Sequence, residues 1–192
     1  MNQGQPPPQV HVQVRPFLPE DVTIYFEWAE RPHVKDVWFW PGFQPKEAIL
    51  EKIGIKNGID LPFTILVGDV PIGHIVCWDM HARNLKKPHV QDRYTGSPPG
   101  CYGIDMFIGE SDYLGRGYGT EALKQLADLL FLQHGAARLF INPDPENIAA
   151  CRCYAKAGFK VTEFGEEPIY GKYQQMELER GVWEAQSSSS RS

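Results

Sequence analysis

Glycine occupies positions 115, 117 and 119 of LGRGYGT, the stretch Leu114–Thr120, with Arg116 between the first two. Between a strand and an amphipathic segment, such a run is suited to holding an anion. The first N–H groups of a helix have no helical acceptor, and the helix dipole adds partial positive charge where they point. Glycine lets the backbone approach a diphosphate with no Cβ in the way. Arg116 can place a cation at the rim. The same pattern also serves as a plain tight connection, and on this stretch alone both readings stay open. It is not a Walker loop, because no Gly-Lys-Ser/Thr follows. Nor does it open an N-terminal β-α-β unit, as the dinucleotide fingerprint requires. A lone acidic residue, Asp105, stands on the strand before the loop. After it comes NPDPENIAACRCYAKAGF, residues 142–159, which carries Asn147 and Tyr154.

Other chemistries find little support. The six histidines include no HExxH, and the four cysteines include no CxxC, so neither a structural nor a catalytic metal is expected. Cys151 and Cys153 are two apart on an expected helix and point in different directions. Reduced, buried thiols are the expectation.

These residues need a scaffold. A chain of 192 residues can bury a sizeable core as one domain, and 42% hydrophobic with 22% charged residues is a globular composition. The net charge of −5 argues against nucleic acid as a partner. No apolar run is long enough to span a membrane. MNQGQPPPQV lacks the basic and apolar regions of a signal peptide, which points to a cytoplasmic location. Residues 1–9 and 184–192 are polar, low-complexity ends expected to be disordered, leaving one domain over 10–183, as monomer or homodimer.

Val10, Val12 and Val14 alternate with polar residues as a strand does. Residues 18–30 read as a helix opened by Pro19, Glu20 and Asp21, and 46–55 as a second, shorter one. Two apolar runs around Gly68-Asp69 form a hairpin over 62–78. A polar, partly basic loop is expected from Met80 to Gly100. The strand 101–109 puts Ile104, Met106 and Ile108 on one face and Asp105 and Phe107 on the other. After the glycine loop, Leu123, Leu126, Ala127 and Leu130 mark a helix of about fourteen residues. Residues 137–142 form a short buried strand. Asn147 caps a helix over 148–157 that ends at Gly158. Segments 159–164 and 170–179 supply the last strands. The order β-α-α-β-β-β-α-β-α-β-β predicts an α/β (α+β) fold: a mixed, mostly antiparallel sheet of about seven strands flanked by about four helices.

Taken together, LGRGYG, the Asn147–Tyr154 helix ending in Gly158-Phe159, and the hairpin GDVPIG resemble the GCN5-related N-acetyltransferase (GNAT) superfamily over Val10–Arg180. Leu114 stands where many members have Gln or Arg. ERPHVKDVW, YGIDMFIGESDYLGRGYGT and NPDPENIAACRCYAKAGF are similar to the aminoglycoside 6'-N-acetyltransferase branch. Siderophore-type lysine acetyltransferases share some of these segments.

The resemblance implies acetyl transfer from acetyl-CoA to a primary amine, best an aminoglycoside 6'-amine, by direct attack. A hydroxylamino-lysine or polyamine acceptor, or a non-catalytic acetyl-CoA sensor, are the alternatives. Leu114, Gly115, Arg116, Gly117, Tyr118, Gly119 and Thr120 would hold the diphosphate. Met106, Phe107 and Ile108 would meet the pantetheine arm, and a main-chain N–H there the thioester oxygen. Asp105 is the base or ammonium anchor, the other reading being a structural ion pair. Tyr154 is the acid for the thiolate, or else a packed helix tyrosine. Asn147 bonds the cofactor arm or merely caps its helix. Trp38 walls the acceptor or packs in the core. Asn142, where the drug-modifying branch has Asp, and the displaced Asp144 complete the acceptor side. Against a polycationic acceptor stands the loop 81–100, whose Arg83, Lys86, Lys87 and Arg93 face one acid, Asp92.

Overall fold

Alternating apolar and polar residues build seven strands into one sheet in the computed structural model, which describes residues 11–38, 59–86, 94–167 and 171–189. The helix expected over 46–55 and the N-terminal segment 1–9 lie outside the described residues, as do Lys87–Arg93. The strands are β1 (Val12–Pro16), β2 (Asp60–Val67), β3 (Val70–Asp79), β4 (Cys101–Ile108), β5 (Arg138–Ile141), β6 (Lys160–Glu167) and β7 (Gly171–Glu179). Their order is β1-β2-β3-β4-β5-β7-β6. Every neighbouring pair is antiparallel except β4 and β5, which run parallel. The expected hairpin turns at Gly68, whose φ of 60° only glycine adopts readily.

The two faces of β4 feed different cores. Tyr102, Ile104 and Met106 join Leu123, Leu126 and Leu130 of helix α4 (Tyr118–Gln133) in the main cluster. Phe107, on the other face, packs with Phe17, Tyr25 and Trp28 under helix α1 (Asp21–Ala29). Asp21 is buried and ties this corner to the sheet. It accepts from Arg15 on β1, from the Leu18 N–H and from Thr64 on β2. Burial opposes its ionisation, yet these donors hold its carboxyl below the ordinary value.

Six helices occur among the described residues, where the sequence suggested about four. Helix α2 (Pro32–Trp38) begins with proline at a position where no N–H is missed. Helix α3 (Met80–Lys86) replaces the start of the expected loop. Its sequence has no clean apolar stripe, but Asp79 caps it by accepting the Ala82 N–H at 2.9 Å, and Met80 is buried beneath it. Helix α5 (Ile148–Lys156) carries Tyr154. Helix α6 (Arg180–Ser189) corrects the tail expected from residue 184. Trp183 donates to Asp128 at 2.6 Å, and its ring lies 5.1 Å from that of Phe131. The Arg180 guanidinium donates to the carbonyls of Phe131 and Ala136. A few anchors thus make an otherwise polar segment helical. No helix among the described residues is long and apolar enough to cross a membrane.

Candidate active site

The three glycines of the loop have two different causes. A one-turn 3-10 helix, Ser111–Tyr113, leads into it. Gly115 (φ 71°) and Gly117 (φ 87°) are left-handed, and Gly117 is the residue from which α4 starts, with no side-chain cap. Gly119 is already helical. A Cβ there would lie 3.2 Å from Cys153 Sγ and 3.3 Å from Met106 Cε, so this glycine lets α4 sit tightly on α5 and β4. The first helical bond runs from the Glu121 N–H to Gly117 O. The amides of Tyr118, Gly119 and Thr120 therefore precede it and face the loop. The Leu114 N–H is bonded to Ser111 O, which leaves an anion to the amides from Gly115 onward. Arg116 is exposed and has no ion pair among the described residues.

Next to this loop the sheet divides. The β4–β5 ladder covers Cys101↔Arg138, Tyr102↔Leu139 and Gly103↔Phe140 and then stops, while β4 runs on against β3 to Ile108. Gly100 O accepts from the Ala137 and Arg138 N–H groups, whereas the Gly109 N–H donates to Ile72 O on the other side. Main-chain groups alternate along a strand, so the even-numbered residues turn theirs toward β5. Beyond Gly103 those residues are Ile104, Met106 and Ile108. Phe107 is the correction here: its carbonyl points at Gly73 of β3, where an added Cβ would strike it. It contributes its ring to the aromatic cluster, not its backbone to this cleft.

Asp105 lies half-buried on β4 opposite Val76. Asn142 lies two residues beyond Phe140, the last residue of β5 that pairs with β4. Tyr154 reaches the region from α5 and is 8% exposed within the main core. Among the described residues its hydroxyl makes no hydrogen bond. Burial pushes this phenol far above its ordinary pKa, and the neighbouring Cys153 and Asp105 add to the shift. Tyr154 is thus held as a neutral O–H donor. Burial also raises the thiols of Cys77, Cys101, Cys151 and Cys153, which makes each a poor nucleophile.

The other expected residues separate. Asn147 caps α5, its Oδ1 accepting the Ala150 N–H at 3.1 Å, which leaves its amide nitrogen free of the capping bond. Asp144 is exposed and its Oδ1 accepts the Glu146 N–H at 2.8 Å within the 144–147 bend. Asn142 Nδ2 donates to the Tyr94 hydroxyl. Trp38 ends α2, and its side chain lies outside the described residues.

Of three residues on this side of the sheet, Trp78 and Tyr94 escaped the sequence reading, while Arg83 was read only as one of the basic residues of the loop 81–100. The Trp78 ring lies where a Cβ on Gly103 would be. Arg83 stands over that ring, its guanidinium carbon 5.8 Å from the centroid, and has no carboxylate partner among the described residues. Tyr94 holds Asn142. The only signal was indirect: a glycine two residues before Asp105 on a strand marks a close approach.

The corner between α1 and α2 grips the end of β4. Trp28, fully buried, donates to Glu110 Oε1 at 2.8 Å. Arg31 donates to Glu110 Oε2 at 2.6 Å and to Gly109 O at 2.8 Å. His33 Nε2 lies 3.2 Å from Ile108 O. Arg31 and Trp28 hold the Glu110 carboxyl below its usual range.

The acetyltransferase (GNAT) domain family matches residues 18–166. The chain is 27% identical over 156 residues to the aminoglycoside N(6')-acetyltransferase type 1 of Klebsiella pneumoniae, covering 78% of this chain and 74% of that one. A kanamycin resistance protein of Rhizobium radiobacter is 40% identical over 62 residues, 32% of this chain and 57% of that protein. Among solved structures, an aminoglycoside acetyltransferase AAC(6')-Ib in complex with coenzyme A and kanamycin superposes with a TM-score of 0.75. It is 25% identical and covers 92% of this chain and 99% of that one.

Proposed function

The chain belongs to the GNAT acetyltransferase family, and from that premise we propose that it moves the acetyl group of acetyl-CoA to a primary amine of an aminoglycoside, at the 6' position. The observation that carries this reading is the parting of β4 from β5 beside Asp105 and Tyr154, with the glycine loop at one end. The loop amides from Gly115 to Thr120 and Arg116 take the diphosphate. The outward main chain of Met106 and Ile108 takes the pantetheine amides and turns a donor toward the thioester oxygen. The names of the relatives supply the acceptor class.

The chemistry takes two protons from the ammonium nitrogen, one before attack and a second released to solvent as the amide forms, and returns one to sulfur. Asp105 anchors the substrate ammonium and accepts its proton, because an amine of pKa near 10 is mostly charged at neutral pH. The amine nitrogen attacks the thioester carbon, and the carbon–sulfur bond breaks. The electron pair leaves on sulfur, where the Tyr154 hydroxyl donates a proton or a hydrogen bond. No enzyme nucleophile intervenes, which agrees with four thiols all raised by burial. Thiol release from acetyl-CoA with kanamycin, tobramycin and simple amines tests the reading. Turnover with the aminoglycosides is expected, together with raised inhibitory concentrations in cells expressing the gene. Silence with every amine overturns it.

A second reading rests on Arg83 and on the neutral Asn142. An acceptor carrying its own carboxylate, such as a hydroxylamino-lysine, would meet a cation and one acid fewer on this side. Turnover of that amine in the same panel, with the aminoglycosides inactive, selects it.

A further inference from the structure

Two buried polar atoms beside Asp105 take no part in the acetyl transfer just described. Trp78 is 8% exposed, and its Nε1 is buried with no hydrogen-bond partner among the described residues. Asn142 gives its Nδ2 to Tyr94, while its Oδ1 is buried with no partner among the described residues either. Native proteins leave few such atoms unmatched, and each asks for an explanation. An indole N–H can only donate and an amide oxygen can only accept.

Their placement is specific. Trp78 pairs across the ladder with Gly103, and Gly103 pairs with Phe140. Residues opposite one another share a face, so Trp78, Asp105 and Asn142 all look out from the same side of the sheet. Asp105 follows Gly103 by two residues and Asn142 follows Phe140 by two, so each lies roughly 7 Å further along its own strand than the row Trp78, Gly103 and Phe140. A donor and an acceptor thus stand on the two strands either side of the one that carries the carboxylate.

We infer that Trp78 Nε1 and Asn142 Oδ1 are specificity contacts for hydroxyl groups flanking the acceptor amine, with Tyr94 a positioning residue that fixes the Asn142 carboxamide. The inference rests on the acetyl-transfer reading and narrows its acceptor to hydroxylated amines. A plain aliphatic amine leaves both atoms dry and unpaired in the complex. Sites built to bond a substrate hydroxyl discriminate strongly against analogues that lack it.

The test uses the full chain, acetyl-CoA and two acceptors that share a six-membered ring and an aminomethyl group: 6-amino-6-deoxyglucose and cyclohexylmethylamine. The wild type should favour the first by about 100-fold or more in kcat/KM. Trp78→Phe keeps a ring over Gly103 and removes the N–H; Asn142→Ala removes the carboxamide. Each should reduce that preference about tenfold or more. Tyr94→Phe should reduce it too and add nothing in the double variant with Asn142→Ala. Thermal melting confirms folding, and either single variant suffices if the other does not fold. No wild-type preference, or variants that slow both acceptors alike, overturns the inference and leaves acetyl transfer standing. Equilibrium binding of the same pair to the enzyme–coenzyme A complex gives a second measure. Preference in binding without any turnover rejects acetyl transfer but supports the contacts, and binding of neither amine rejects the contacts.

Discussion

Tyr154 and Asp105 sit near one another in the structure, yet their roles divide cleanly by environment. The phenol is buried and its pKa raised chiefly by that burial, with the neighbouring Cys153 and Asp105 adding to the shift. Tyr154→Phe should therefore lower kcat about 100-fold with little change in acetyl-CoA affinity; an unaltered rate constant removes its role as acid. The sign of the shift also fixes a pH dependence. A folded value above the unfolded one gives stability that is whole below the unfolded pKa of 10 and declines as pH rises beyond it. Urea melts of the wild type should weaken above pH 10, and those of Tyr154→Phe should weaken less. Gly117 allows a different separation. With φ at 87°, alanine there costs about 1 kcal/mol of stability, and it also places a methyl at the loop. Titration calorimetry should show acetyl-CoA binding about tenfold weaker, more than the small loss of stability accounts for. The glycines were legible in the sequence as a loop that binds or turns, but not how they divide. Gly119 differs from its neighbours only through Cys153 and Met106, which reach it from other elements.

At the scale of elements, α1 and α2 act as a bracket on the end of β4. Trp28, Arg31 and His33 converge on Ile108, Gly109 and Glu110, the residues that lead into the glycine loop. Glu110→Ala would leave the buried Trp28 N–H and the Arg31 guanidinium without their acceptor, at a cost of about 1–3 kcal/mol. The Glu110 carboxyl has a depressed pKa, so its contribution is present above the ordinary glutamate value of 4.5 and is lost as pH falls through the folded value. The gap in melting temperature between wild type and Glu110→Gln should accordingly narrow in acid; a gap independent of pH would show that charge plays no part. The sequence located most strands because their period is short and strong. It missed α3 and α6 because both lack a wide apolar stripe. A single cap at Asp79 and a few long-range anchors at Arg180 and Trp183 make them helical, and such contacts have no local signature.

The described residues form one seven-stranded sheet with helices on both faces, and that much followed from the alternation of helical and strand periods. The acceptor side did not. Trp78 reaches the neighbourhood of Asp105 through strand pairing, Arg83 stands over the Trp78 ring and Tyr94 bonds Asn142, contacts that only the folded chain reveals. Asn147 was half legible, since its capping contact is local while any contact to a ligand is not. All four cysteines are reduced, and Cys77 and Cys101 are buried. Thermal unfolding should be insensitive to dithiothreitol; a marked shift would indicate a disulfide in solution. Arg180→Ala should lower stability by about 1–3 kcal/mol by orphaning the carbonyls at the end of α4. The parting of β4 from β5 has one more consequence. Where a backbone does the gripping, side-chain identity is left to other demands. Met106 can answer to the core alone, so an isosteric exchange to leucine should cost folding energy and leave the donor's hold untouched, and natural drift along this strand can proceed without loss of the acetyl carrier.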